Sequence, residues 1–244
     1  PQVSSNSWGL GDFHGYPDCD ELFWSYLDAM EVAGTVVVFA AGNEGTGGLR
    51  RPSDRATDEL TTMAVAAVDG NTSGWPIAGF SSRGPTFCTP DGSSAIKPEV
   101  SAPGVDVRSA SASGSYYFSS GTSMSCPHIA GVVALIRQAC EDLSVAEVKQ
   151  ILLDATVDLG PSGNDNTYGY GMIDALAAVE LAEDQCGPRP PEAFDANVDV
   201  PVDTTTPITL TADDDGEPMP PLMTFEITSL PSSGQLMDPS NGAI

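Results

Sequence analysis

Thr35-Val36-Val37-Val38-Phe39-Ala40 is a six-residue stretch with no charge and no alternation. An amphipathic strand would alternate, and a surface helix would leave a polar face. A continuous apolar run of strand length requires burial on both sides, the setting of a strand inside a parallel sheet covered by helices. Gly34 stands immediately before it and closes a stretch from Asp20 to Ala33 in which Leu22, Phe23, Tyr26, Leu27, Met30 and Val32 recur at helical spacing. Helix, glycine stop and buried strand together predict an α/β layered architecture.

The rest of residues 1–186 extends that pattern. Val3–Ser7 and Thr62–Val68 read as further strands, and Ser125–Ala139, Ser144–Ala155 and Met172–Ala182 as helices. Pro127 falls near the first turn of its helix, where proline is tolerated. Ser144-Val145-Ala146-Glu147 has the form of a capping box. A proline-rich linker, 187–191, follows. Residues 192–244 then change texture: Ile208–Ala212 and Met223–Ile227 alternate with a period of two around Asp213-Asp214-Asp215-Gly216. That is an antiparallel β pattern, and its length predicts part of a β-sandwich rather than a whole one.

Charge narrows the functions open to such a chain. Thirty-four acidic residues face nine basic ones, for a net charge of −25. Such a surface repels phosphate backbones and anionic bilayers, so neither nucleic acid nor a membrane surface is an expected partner. No apolar run is long enough to span a bilayer. The five cysteines, Cys19, Cys88, Cys126, Cys140 and Cys186, include no CxxC pair, which argues against structural zinc; no metal site is assigned. Some of them can pair in an oxidising compartment, but the pairing is not readable and the number is odd. Asp203 and Asp213–Asp215 are either an acidic solvated turn or ligands for a structural calcium. Arg50-Arg51 reads as a surface pair. Tyr116-Tyr117-Phe118 reads as a strand or core feature, or as part of a substrate pocket.

Two segments carry chemistry. In Gly121-Thr122-Ser123-Met124-Ser125-Cys126-Pro127-His128 a serine stands where a loop enters an apolar helix. Amides at a helix start stabilise negative charge, which a serine nucleophile needs when it converts a carbonyl into an oxyanion. Standing alone, Thr122 and Ser123 read as simple N-caps. In Ala41-Gly42-Asn43-Glu44-Gly45 an asparagine follows the C-terminal end of the buried strand, the edge where ligands gather in open α/β sheets. It offers a side-chain amide to an oxyanion, though standing alone it reads as a turn residue.

Together, and with Ser7-Trp8-Gly9, Phe80-Ser81-Ser82-Arg83-Gly84-Pro85 and Lys97-Pro98-Glu99-Val100-Ser101-Ala102-Pro103-Gly104, these segments resemble the subtilisin-like serine proteases, or subtilases, over residues 1–182. Within that family the bacillopeptidase F type is the most similar. The resemblance implies a parallel-sheet subtilisin-like domain over 1–186, with Ser123 as nucleophile and Asn43 as oxyanion donor. Ser7, Trp8 and Gly9 would form the edge on which a protein or peptide substrate lies. It implies an extracellular, secreted or cell-surface protein, and chemistry requiring no cofactor. Residues 192–244 resemble cadherin-like or immunoglobulin-like modules.

The resemblance is incomplete. The family's aspartate and histidine motifs do not occur here, and the only histidines are His14 and His128. His128, five residues past Ser123, is expected to pack rather than face the hydroxyl. His14 matches no catalytic motif. The expectation is therefore a serine endopeptidase fragment, its domain truncated at the N-terminus and lacking its base, inactive or nearly so without the missing N-terminal part. The alternative is a noncatalytic peptide-binding or adhesion-associated module.

Overall fold

The computed structural model describes residues 2–57 and 62–186, and beyond them 192–194, 198–199, 201, 204–213, 229, 233, 235, 237–238 and 242–243. The chain divides into two compact units, residues 1–186 and 187–244.

Six strands form the sheet of the first unit: β1 (Val3–Asn6), β2 (Val36–Ala40), β3 (Met63–Val68), β4 (Val100–Pro103), β7 (Thr156–Val157) and β8 (Met172–Ile173). A separate antiparallel hairpin pairs β5 (Val107–Ala110) with β6 (Tyr116–Ser119). Spatial order is β1-β2-β3-β4-β8-β7, parallel except for the β7–β8 pair. Every residue of β2 and β3 is buried, as the uninterrupted apolar runs require. Alternate residues of β2 face opposite layers. Val37 and Phe39 meet Leu27 of α1 (Trp24–Val32) on one side. Val36, Val38 and Ala40 join the larger core on the other, built with α2 (Thr122–Ala139), α3 (Val145–Asp154) and α4 (Ala175–Cys186).

The helices show which local signals are realised. Gly34 has φ +85° after the last turn of α1, a conformation glycine adopts without a Cβ penalty. The capping box of α3 forms in both directions: the Glu147 amide donates to Ser144 Oγ at 3.2 Å, and the Ser144 amide to Glu147 Oε2 at 2.6 Å. Several boundaries differ from expectation: α1 starts at Trp24 rather than Asp20, and α4 runs on to Cys186 rather than ending at Ala182. Helix α4 begins at Ala175 because Asp174 Oδ1 accepts from the amides of Leu176 and Ala177, so Met172 and Ile173 are released to the sheet. Helix α2 begins three residues early, at Thr122, which puts Pro127 inside it.

Both lysines are buried. Lys97 pairs with Glu99 and donates to the Thr62 carbonyl at 2.9 Å; Lys149 pairs with Glu31. Arg51 is likewise buried, bonded to the Pro17 carbonyl and paired with Asp18, which corrects its reading as a surface residue. Disulfides join Cys19 to Cys88 and Cys140 to Cys186, leaving Cys126 as a buried free thiol whose pKa burial pushes up.

In the second unit, Glu192–Ala193 pairs antiparallel with Ala212–Asp213, and Met237–Asp238 with Gly242–Ala243. Residues 208–211, expected in a strand, are outside these pairings. Met223–Ile227, the 187–191 linker, Asp203, Asp214 and Asp215 lie outside the described residues. Among the described residues no helix is long and apolar enough to cross a membrane.

Candidate active site

Strand β2 delivers Asn43 to the start of α2, and the two are locked together. Asn43 Oδ1 accepts from the Thr122 amide at 2.9 Å and from Thr122 Oγ1 at 3.1 Å. Thr122 Oγ1 in turn accepts from the Gly42 amide at 3.2 Å. Gly121, not Thr122 or Ser123, is the N-cap of α2, and it makes no side-chain cap bond. The asparagine from a distant strand end does the work of the missing cap. Because Oδ1 is the acceptor, Nδ2 is the group left to donate elsewhere. The loop between depends on Gly42, which has φ +114°. A Cβ added there would lie 2.7 Å from Ser82 Oγ and 2.8 Å from Arg50 Cγ.

Ser123 follows in the first turn of α2, where backbone amides have no intrahelical acceptor. Ser123 Oγ donates to the Ser7 carbonyl at 3.4 Å, and Ser7 Oγ donates to the Ser123 carbonyl at 2.8 Å. Pro127 accounts for the second bond. Four residues on, it has no N–H to give the Ser123 carbonyl, so the Ser7 hydroxyl takes that place. A proline four residues after the candidate nucleophile is thus a sequence signal that this carbonyl needs an outside donor.

Ser7, Trp8 and Gly9 continue from the end of β1. The Trp8 ring packs edge-on against Phe23 and Phe39, with centroids 5.3 and 5.2 Å away, and its Nε1 donates to Asn6 Oδ1 at 3.2 Å. Leu10 then bridges Arg51 through two backbone hydrogen bonds of 3.0 and 3.1 Å. Between this edge and the Asn43 loop lies a cavity of about 190 Å³ that brings Ser7, Trp8, Gly9, Asn43 and Ser123 together. A second cavity of about 300 Å³ opens on the other side of Ser123, lined by Arg108, Tyr117, Met124 and His128 among others. The aromatic stretch 116–118 is the exposed strand β6, not core, and Tyr117 faces this cavity.

The histidines divide. His128 is exposed rather than packed, and its Nδ1 donates to the Met124 carbonyl at 2.8 Å. His14 ends a short 3₁₀ turn and lines the smaller cavity. Among the described residues, Ser123 Oγ is bonded to a backbone carbonyl and not to an imidazole. Arg50, taken from sequence as surface, is half-buried in the smaller cavity, with Nη2 2.6 Å from Glu44 Oε1. Burial pushes the Glu44 carboxyl up, but hydrogen bonds from Arg50 and Ser82 and the guanidinium charge outweigh it and hold the group below its ordinary value. Cys19, Asp54 and Cys88 are the described group with metal-like proximity. The two sulfurs are joined to each other, which leaves no thiolate for an ion.

A sequence profile of the subtilase family matches residues 1–171. The chain belongs to the subtilase family. This subtilase is similar to bacillopeptidase F of Bacillus subtilis, 35% identical over 199 residues that make up 77% of this chain and 13% of that protein. It is 36% identical to subtilisin DY of Bacillus licheniformis over 154 residues, 63% of this chain and 50% of that one. It is 38% identical to serine protease AprX of Bacillus subtilis over 164 residues, 60% of this chain and 36% of that one. The chain thus spans half or less of the length of these relatives.

Proposed function

We propose that residues 1–186 carry the nucleophile half of a serine endopeptidase site in an extracellular protein. Ser123 Oγ attacks the carbonyl carbon of a peptide bond, and the resulting oxyanion accepts from Asn43 Nδ2 and from amides at the start of α2. An extended substrate lies along Ser7–Gly9 and pairs with it as an added strand. The observation that carries this reading is the anchoring of Asn43 Oδ1 by Thr122, which leaves a preorganised amide donor beside the candidate nucleophile. The step uses side chains and backbone alone and needs no cofactor.

The proton leaving Ser123 needs a base held by a carboxylate. Neither family motif for these groups is present in the 244 residues, and we assign both to sequence outside them. The two disulfides support an oxidising, extracellular setting. The names of the relatives support proteolysis.

Treating the full-length protein with diisopropyl fluorophosphate tests this. Mass spectrometry should find a diisopropylphosphoryl group on Ser123, and Ser123→Ala should abolish both labelling and hydrolysis of a casein substrate. An unlabelled Ser123 in a folded full-length protein would overturn the reading. Peptide binding without labelling would favour the noncatalytic module, which the absence of the two motifs supports.

A further inference from the structure

Asn43 is exposed, so packing does not aim its side chain. Thr122 holds Oδ1, and the backbone on either side is held by a residue of another loop. Ser82 is fully buried. Its amide donates to the Gly42 carbonyl at 2.9 Å. Its hydroxyl accepts from the Glu44 amide at 3.1 Å. The first bond fixes the peptide plane before Asn43 Cα, and the second fixes the plane after it. Because each peptide is rigid, the two bonds together set φ and ψ of Asn43.

The hydroxyl is itself oriented. A serine has one O–H to give, and Ser82 Oγ donates it to Glu44 Oε2 at 3.1 Å. Its lone pairs are thereby turned toward the Glu44 amide. The Glu44 carboxyl is held below its ordinary value, so at neutral pH this bond has an ionised acceptor and is charge-assisted. Behind Ser82 the frame is tied to the sheet: Ser81 Oγ accepts from the Ala67 amide of β3 at 3.0 Å. The Gly45 amide donates to the Phe80 carbonyl at 2.7 Å, and the Arg83 amide to the Gly45 carbonyl at 3.0 Å. We propose that Ser82 is a positioning residue of the site, setting the direction of the Asn43 amide through the two peptides that flank it. This inference rests on the endopeptidase reading and adds a residue to it.

The competing account makes Ser82 a stabiliser of the turn and nothing more. A turn stabiliser could bond any peptide of the loop, whereas both bonds of Ser82 fall on the peptides that adjoin Asn43. The hydroxyl also sits hard against the loop, since a Cβ added at Gly42 would lie 2.7 Å from Ser82 Oγ. Such closeness matters for an oxyanion donor. Its bond must be in place where the negative charge develops, and a misplacement of about 1 Å in an active site can cost about 10²-fold in rate. Removing the hydroxyl would free the Asn43–Glu44 peptide while Thr122 still held Oδ1, so the expected loss is a part of what removing Asn43 would cost.

A double-mutant cycle on the full-length protein tests this, with kcat referred to the sites titrated by diisopropyl fluorophosphate so that unfolded molecules do not count. Ser82→Ala should lower kcat on a peptide substrate by about 10-fold and leave KM within about twofold, the pattern of a bond that acts in the transition state. In an Asn43→Ala background the same substitution should change kcat by less than about twofold, because no aimed amide is left to lose. Ser82→Cys, close in size but a weak donor and acceptor, carries the cycle if Ser82→Ala does not fold. An equal loss in both backgrounds, an unchanged kcat, or a loss confined to KM would overturn the inference and leave the endopeptidase reading standing. No hydrolysis by the parent protein, with Ser123 inert to diisopropyl fluorophosphate, would end both.

Discussion

Asp54 is a buried acid, 4% exposed, whose fully buried Oδ1 has no hydrogen-bond partner among the described residues. Its pKa is raised from 3.8 to about 6. Burial is the main cause; the Cys19 amide and the Arg51 charge work against it, and the Asp18 charge adds to it. The folded state therefore holds this proton more tightly than the unfolded chain does. Stability from this group is complete below pH 3.8 and is lost as pH rises through about 6. A shift of about two units corresponds to about 3 kcal/mol at neutral pH. Asp54→Asn removes the titration while keeping an acceptor for the Cys19 amide, which now donates to Oδ2 at 3.0 Å. Urea denaturation of the full-length protein in a Ser123→Ala background, from pH 4 to pH 8, measures the effect without self-digestion. The stability of Asp54→Asn relative to its parent should climb by roughly 2.4 kcal/mol between pH 4 and pH 7, the rest of the effect lying below pH 4. The amide hydrogens brought to the unpartnered oxygen's position add a constant penalty but no pH dependence. A difference that stays flat across this range, or that falls, would refute the argument.

Three further outcomes follow from the site and its frame. Asn43→Ala should lower kcat of the full-length protein by roughly 10²–10³-fold with little change in KM; the magnitude is the one established for the oxyanion asparagine of a subtilisin, and a loss confined to KM would count against the assigned role. Gly42→Ala forces a side chain into a φ +114° backbone beside Ser82 and Arg50, so thermal unfolding should show a cost of about 1–3 kcal/mol and peptide hydrolysis should drop with it; an unchanged midpoint would contradict the packing described. Replacing Cys140 and Cys186 by serine opens a link across a separation of 46 residues, and loop-closure entropy gives a loss of about 4 kcal/mol by urea titration.

What the sequence made legible was local or dense. Strand β2 could be read because its apolar run has one physical solution, and α3 because Ser144 and Glu147 satisfy each other without help from elsewhere. The start of α2 could not be read locally, because its cap is Asn43, contributed from the end of another strand. Strand β4 was not called because its four residues, Val100–Pro103, make too short an apolar run to stand out after Lys97 and Glu99, which the fold buries as a pair. Arg50 was misread because only the folded chain brings Gly9, Gly11 and Gly42 around it. Ser123 and Asn43 were singled out as candidates because glycines and a helix start surround them, yet their mutual anchoring through Thr122 is a tertiary fact.

The alternation along β2 also sets a rule about length. Val37 and Phe39 serve one layer, Val36, Val38 and Ala40 the other, and Asn43 lies three residues beyond the strand. Deleting a single residue from this segment would hand each layer the other's side chains and draw Asn43 back by about 3.3 Å. Apolar substitutions within the strand can be absorbed one at a time; a change in count cannot. Divergence in this chain should therefore be substitutional between Val36 and Ala40, while gained and lost residues collect in exposed turns such as 90–94, where no side of a sheet keeps the tally.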